Sequence, residues 1–83
     1  MKVTVTVRLR AGILDPQGEA VRRSLQGLGY AAEDVRAGKV FDLDLDVGDA
    51  REAMKVAGRI AEQVLSNPLI EEFHVSAQEP ARV

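Results

Sequence analysis

Apolar residues fall on alternate positions from the start of the chain. Val3, Val5, Val7 and Leu9 share one side of an extended segment, and Lys2, Thr4, Thr6, Arg8 and Arg10 take the other. A period of two built on β-branched residues predicts a half-buried strand over residues 2–10. Residues 11–14 connect it to a helix with two start signals. Asp15 can cap free backbone N–H groups, and Pro16 suits the first helical position, where no N–H is needed. Val21, Leu25 and Leu28 recur at helical spacing and define the buried stripe of that helix. Gly29 is placed to stop it in the left-handed conformation.

Residues 33–47 read as extended chain. From Val40 to Val47 the alternation is strict: Phe41, Leu43, Leu45 and Val47 face in, and Asp42, Asp44 and Asp46 face out. The segment is long beside the usual five or six residues of a strand. Two readings stay open: a turn at Ala37-Gly38 with a short and a long arm, or one bent strand shared with a neighbouring copy. Asp49-Ala50-Arg51-Glu52 resembles a capping box and opens a second helix. Ala53, Met54, Ala57, Ile60, Ala61, Val64 and Leu65 give that helix a wide apolar face. Asn67-Pro68 ends it, Asn through its tolerance of the left-handed conformation and Pro by preventing continuation. Leu69 to Ser76 is a last strand, with Phe73 and Val75 inward and Glu72 and His74 outward. Residues 78–83 read as a frayed tail after a single domain of residues 1–77.

The element string is β-α-β-β-α-β. Because only one face of the strands is apolar, both helices are expected on that face. The fold class is α+β: a two-layer sandwich of ferredoxin-like character, with a small, mainly antiparallel sheet and two helices on one face. The outer face sets Lys2, Arg8 and Arg10 on the first strand against Asp42, Asp44 and Asp46 on the long one. Adjacency of these strands would pair opposite charges.

Eighty-three residues bound the chain to one domain with a thin core. A partner or second copy would help stabilise it. A net charge of −2 gives no general pull toward nucleic acid or anionic membrane. The chain has no cysteine, which excludes disulfides, thiolate nucleophiles and cysteine metal clusters and fits a reducing cytoplasm. No apolar run approaches the roughly 20 residues that span a bilayer, and the alternating N-terminus is unlike a signal peptide.

Candidate chemistry is sparse. The row Asp42, Asp44, Asp46 offers oxygens to a hard cation, but alternate strand residues lie about 7 Å apart, too far to wrap one ion. His74 is the one histidine, with no nucleophile motif around Ser24, Ser66 or Ser76. Glu71 and Glu72 are adjacent on a strand and point to opposite faces, which does not suit an acid–base pair. The segment from Gly12 to Gly18 could receive a phosphate at the helix N-terminus, but the Asp15 carboxylate already takes that position. The aromatics are Tyr30, Phe41 and Phe73, two of them read as core, so base stacking on an RNA lacks a platform. A small sheet leaves open edges that favour pairing with another chain.

Three groups of residues resemble the PurS family. They are Val7-Arg8-Leu9-Arg10 with Gly12-Ile13-Leu14-Asp15-Pro16-Gln17-Gly18, then Val35-Arg36 with Gly38-Lys39, then Leu65-Ser66-Asn67-Pro68-Leu69-Ile70-Glu71. The likeness runs from residue 3 to about residue 76, with Ser66 a departure where a residue such as alanine is expected. The resemblance implies a non-catalytic small subunit of formylglycinamidine ribonucleotide synthase, the fourth step of purine assembly. It further implies a homo-oligomer, a dimer or dimer of dimers, set between a glutaminase subunit and a synthetase subunit and helping ammonia pass between them. This chain would carry no catalytic residue, cofactor or metal; ATP and magnesium would belong to the synthetase.

The expected partner contacts are family-like positions without a strong core role: Asp15, Gln17 and Gly18; Arg36, Gly38 and Lys39; and Asn67, Pro68 and Glu71. Turn and cap chemistry is the competing account of each. The alternative function is a small-ligand regulatory module of similar topology, with a pocket at a helix–strand junction.

Overall fold

The computed structural model describes residues 1–77, so the expected tail at 78–83 lies outside the described residues. The elements are β1 (Lys2–Leu9), α1 (Pro16–Gly27), β2 (Gly38–Asp44), α2 (Ala50–Ile60), a π-helical turn (Ala61–Leu65) that prolongs α2, and β3 (Glu71–Ala77). The strands form one antiparallel sheet in the order β2-β1-β3. The α+β class, with an antiparallel sheet and two helices, is as the sequence pattern indicates.

Register puts the apolar alternation of all three strands on one face. Val3 lies opposite Leu43, and Val5 is flanked by Phe41 on one side and Val75 on the other. Across this face Ala53, Ala57 and Ala61 repeat every fourth residue along α2 and the π turn, so they share one stripe. Their small side chains let the helix approach closely. Val3, Val5 and Val7 and these three alanines are the buried core, each at 0–1% exposure. Phe41, Leu43, Leu45, Val47, Leu65 and Val75 pack around them, partly buried.

The expected adjacency of the first and long strands is present, and it sets opposite charges across the pair at one position, Lys2 and Asp44. The antiparallel register sets Lys2 opposite Asp44 and Arg8 opposite Gly38, while Arg10 lies beyond the paired strand. Asp42 instead accepts a hydrogen bond from Thr4 Oγ1 at 2.9 Å, and Asp44 lies 3.5 Å from the N-terminal ammonium of Met1.

The segment 33–47 is neither a hairpin nor one strand in this chain. β2 begins at Gly38, and residues 31–37 belong to no strand. A Cβ at position 38 would lie 2.7 Å from the Val7 carbonyl oxygen, so glycine lets β2 close on β1 there. Just upstream, the Ala37 N–H is committed to Asp15 instead of a ladder. The element string is therefore β-α-β-α-β.

The two helices also divide the work unequally. β2 and β3 both run antiparallel to β1, so they are parallel to each other, and α2 must cross the sheet to join them. β1 and β2 are antiparallel neighbours joined at one end, and a helix laid back over the face would then need a return passage of equal length. Instead α1 runs out from that end, and residues 28–37 bring the chain back; Gln26 Nε2 donates to Ala32 O across this return at 3.0 Å. No α1 side chain enters the core, and Gly18 is the one buried α1 residue. The expected stripe is left open: Val21 is 43% and Leu28 75% exposed.

A candidate docking end of the sheet

The nine expected contact residues come from three separate stretches, and all lie at the end of the sheet where β1 finishes. Asp15 is the N-cap of α1, as its position before Pro16 predicts. Its Oδ1 accepts from Gly18 N at 2.9 Å, and its Oδ2 accepts from Ala37 N at 2.8 Å. One carboxylate thus ties the helix start to the residue before β2. These backbone N–H groups, Gly18 first and then Ala37, hold the Asp15 carboxyl below its ordinary pKa, and the Arg36 guanidinium adds to the effect. Gly18 completes the joint, since a Cβ there would lie 2.2 Å from the Val35 carbonyl oxygen. Glycine is needed at 18 for close approach and at 38 for the same reason.

Two arginines lock the neighbouring turn. Arg36 Nη2 donates to the carbonyls of Leu9 at 2.7 Å and Arg10 at 3.1 Å. Arg10 donates through Nε and Nη2 to Pro68 O at 3.1 and 2.8 Å, and its own N–H meets Ile70 O at 2.8 Å. Asn67 does not take the left-handed conformation, since positive φ is confined to glycines among the described residues. It folds the turn through hydrogen bonds instead: its carbonyl accepts from Ile70 N and Glu71 N, and its Oδ1 accepts from Leu69 N at 3.2 Å. Glu71 Oε1 closes the loop by accepting from Asn67 N at 2.7 Å.

Gln17, Gly38, Lys39 and Glu71 line one open cleft of about 170 Å³ with Val7, Arg8, Leu9 and Ala37. Asp15, Gly18, Arg36, Asn67 and Pro68 do not line it; through the bonds just described they tie together the segments that do. Lys39 pairs with Val7, so its side chain stands on the core face of the sheet at the end of the strand. Sequence reasoning missed Arg10, which ties the turn before β3 to β1; the residue stood in the Val7-Arg8-Leu9-Arg10 motif, but nothing in the pattern paired it with Pro68. It also missed the second bond of Asp15, which joins residues 22 positions apart.

Elsewhere His74 is an exposed residue on the outer face, opposite Thr6. Glu71 and Glu72 sit on opposite faces. Among the described residues no group of three or more His, Cys, Asp or Glu side chains could hold a metal ion, and no helix is long and apolar enough to cross a membrane.

The family model of PurS, described as phosphoribosylformylglycinamidine (FGAM) synthase, matches residues 2–79. The chain belongs to the PurS family. It is 42% identical to the phosphoribosylformylglycinamidine synthase subunit PurS of Mycobacterium leprae, over 93% of this chain and 95% of that one. It is 35% identical to the corresponding PurS subunit of Bacillus subtilis, over 94% and 93% of the two chains. Its fold matches a chain of the PurLQS structure from Thermotoga maritima with a TM-score of 0.84 and 28% identity, covering 93% of this chain and 95% of that one. The PurS match therefore spans every element described above, both arginine ties included.

Proposed function

We propose that this chain is the non-catalytic bridging subunit of a formylglycinamidine ribonucleotide synthase, acting as one unit over residues 1–77 in purine biosynthesis. The observation that carries the reading is the assembled end of the sheet. Three distant stretches are locked by hydrogen bonds between side chains and backbone groups, and Gln17, Lys39 and Glu71 line an open cleft. Such an end is prearranged for docking, which lowers the ordering cost of association. The PurLQS structure of the Thermotoga relative supports partners within one such complex, and in this reading they are a glutaminase subunit and a synthetase subunit. Asp15, Gln17, Gly18, Arg36, Gly38, Lys39, Asn67, Pro68 and Glu71 form or support the contact. ATP, magnesium and glutamine belong to the partners, and the complex is cytoplasmic.

The physical role is one of effective concentration. Holding two active sites in one complex makes transfer of a small neutral molecule intramolecular. Ammonia that escaped to bulk water at neutral pH would be protonated and lose its nucleophilicity. The subunit is a homo-oligomer in this reading, because its apolar surface exceeds what it covers alone. Its largest fully buried side chains are valines, while Leu14, Leu28, Tyr30, Val64 and Leu69 all stay exposed.

The test mixes the chain with glutaminase and synthetase subunits and measures complex mass by light scattering and turnover with glutamine or with free ammonia. Omitting the chain, or using Lys39→Glu with Glu71→Lys, is expected to lose assembly and glutamine-driven turnover while ammonia-driven turnover persists. Full glutamine-driven turnover without the chain would overturn the reading.

A further inference from the structure

We propose that the cleft at the end of the sheet binds a small free α-amino acid with a polar side chain, held as its zwitterion. The proposal goes beyond the bridging reading, since it rests on the chemistry of the cleft and not on what docks over it. The cleft, of about 170 Å³, lies where three elements begin: Gln17 is in the first turn of α1, Gly38 and Lys39 open β2, and Glu71 opens β3. Its floor is apolar, formed by Val7 and Leu9 of β1. Register sets Lys39 beside Val7 and Glu71 beside Leu9, so both charged side chains rise from the core face on opposite sides of that floor. Their strands flank β1 and their rows are two residues apart, which separates the two backbones by roughly 12 Å. They do not form an ion pair with each other.

Three polar groups reach this cleft with bonding capacity to spare. Among the described residues Lys39 Nζ and the Gln17 carboxamide make no hydrogen bond or ion pair, and Glu71 commits Oε1 to Asn67 N while Oε2 stays open. A cation and an anion on opposite walls suit a ligand that carries both charges. Its carboxylate accepts from Lys39 Nζ, and its α-ammonium donates to Glu71 Oε2. Such charge-assisted bonds are the stronger kind. A simple anion or cation would meet one attracting and one repelling wall. The Gln17 carboxamide both donates and accepts, so it favours a polar side chain, above all another carboxamide. Size narrows the class further. Sites for drug-sized ligands begin at about 300 Å³, so this cleft is too small for a nucleotide. The walls are also fixed in advance: the Asn67 turn holds Glu71, and the Asp15 carboxylate holds Ala37 beside Gly38 and Lys39.

The full chain is titrated with L-glutamine while its backbone amides are followed by NMR. Saturable shifts are expected at Gln17, Gly38, Lys39 and Glu71. Glutaramate, which lacks the α-ammonium group, and the α-amide of glutamine, which lacks the carboxylate, should each bind about tenfold more weakly or worse. Lys39→Met and Glu71→Gln should weaken glutamine binding to the same degree, and glutamine at 71 can still accept from Asn67 N, which keeps the turn. His74→Ala, on the outer face, should leave the affinity unchanged. No saturable shift up to about 10 mM glutamine, glutaramate bound as tightly as glutamine, or an affinity unmoved by both Lys39→Met and Glu71→Gln would each overturn the site. A chain that binds no amino acid, while its Lys39→Glu, Glu71→Lys variant fails to assemble, gives the cleft to the partner subunits; the amino-acid site then falls and the bridging reading stands. A chain that binds glutamine in the cleft but joins neither subunit keeps the site and sinks the bridging reading alone.

Discussion

Gly18→Ala separates the anchored joint from ordinary helix propensity. An alanine in place of glycine within a helix normally stabilises by about 1 kcal/mol. At position 18 the added Cβ would lie 2.2 Å from the Val35 carbonyl oxygen and 2.9 Å from Asp15 Oδ2. The first of these atoms is backbone and has no rotamer to escape into. Ordinary contact needs about 3.4 Å, so the return segment must recede by more than 1 Å, which draws Ala37 N away from Asp15. Overpacking of this kind costs about 1–3 kcal/mol and exceeds the propensity gain. Gly58 is the internal control. It lies in α2, where a Cβ would meet nothing within 4 Å, so Gly58→Ala should follow propensity alone. A thermal melt with amide exchange at Gly18 and Ala37 reads both changes. At about 4–8 °C per kcal/mol for a domain of this size, Gly58→Ala should raise Tm by several degrees and Gly18→Ala should lower it. The two amides should also exchange faster in the Gly18 variant. A Gly18→Ala protein that melts at or above the parent, with Ala37 still protected, would refute the close-approach argument.

Val5→Ala removes a fully buried side chain at the centre of the sheet and should cost about 2–3 kcal/mol, transfer and cavity terms together, in urea unfolding; a loss below about 0.5 kcal/mol would mean the core is not where these contacts place it. Arg10→Met removes both bonds to Pro68 O and, at an exposed site, should cost about 1 kcal/mol while loosening the Asn67–Glu71 turn in amide exchange; unchanged exchange there would mean the tie is dispensable. Glu19 is held down from 4.5 to about 2, first by its hydrogen bonds from Arg22, and Asp15 is held below 3.8 by the Gly18 and Ala37 N–H groups. Folded pKa values below unfolded ones stabilise α1 above the unfolded pKa, so that support is present above about pH 4.5 and is lost as pH falls toward 2. An acid titration by circular dichroism should show the loss, and Glu19→Gln should shrink it; an identical transition in both proteins would rule out this carboxylate as its source.

Local chemistry on the chain decided the elements. Alternation of Val3, Val5 and Val7 makes β1 a half-buried strand wherever it is placed, Asp15 before Pro16 starts α1, and Gly29, at a φ of +94°, ends the turn after it. These are short-range effects, and side-chain period and backbone freedom suffice to produce them. The family motifs likewise marked the stretches that meet at one end of the sheet. What the pattern did not contain is which strand ends adjoin. An amphipathic stripe says that α1 needs an apolar surface but not whose surface. Because β1 and β2 are antiparallel neighbours, the connection between them returns to the end it left, and α1 is carried outward with Val21 and Leu28 uncovered. Because β2 and β3 are parallel, α2 has to cross the face and bury its alanines there. The same cause hid the Arg10–Pro68 and Asp15–Ala37 bonds, which exist only once separate stretches are brought to the same sheet end.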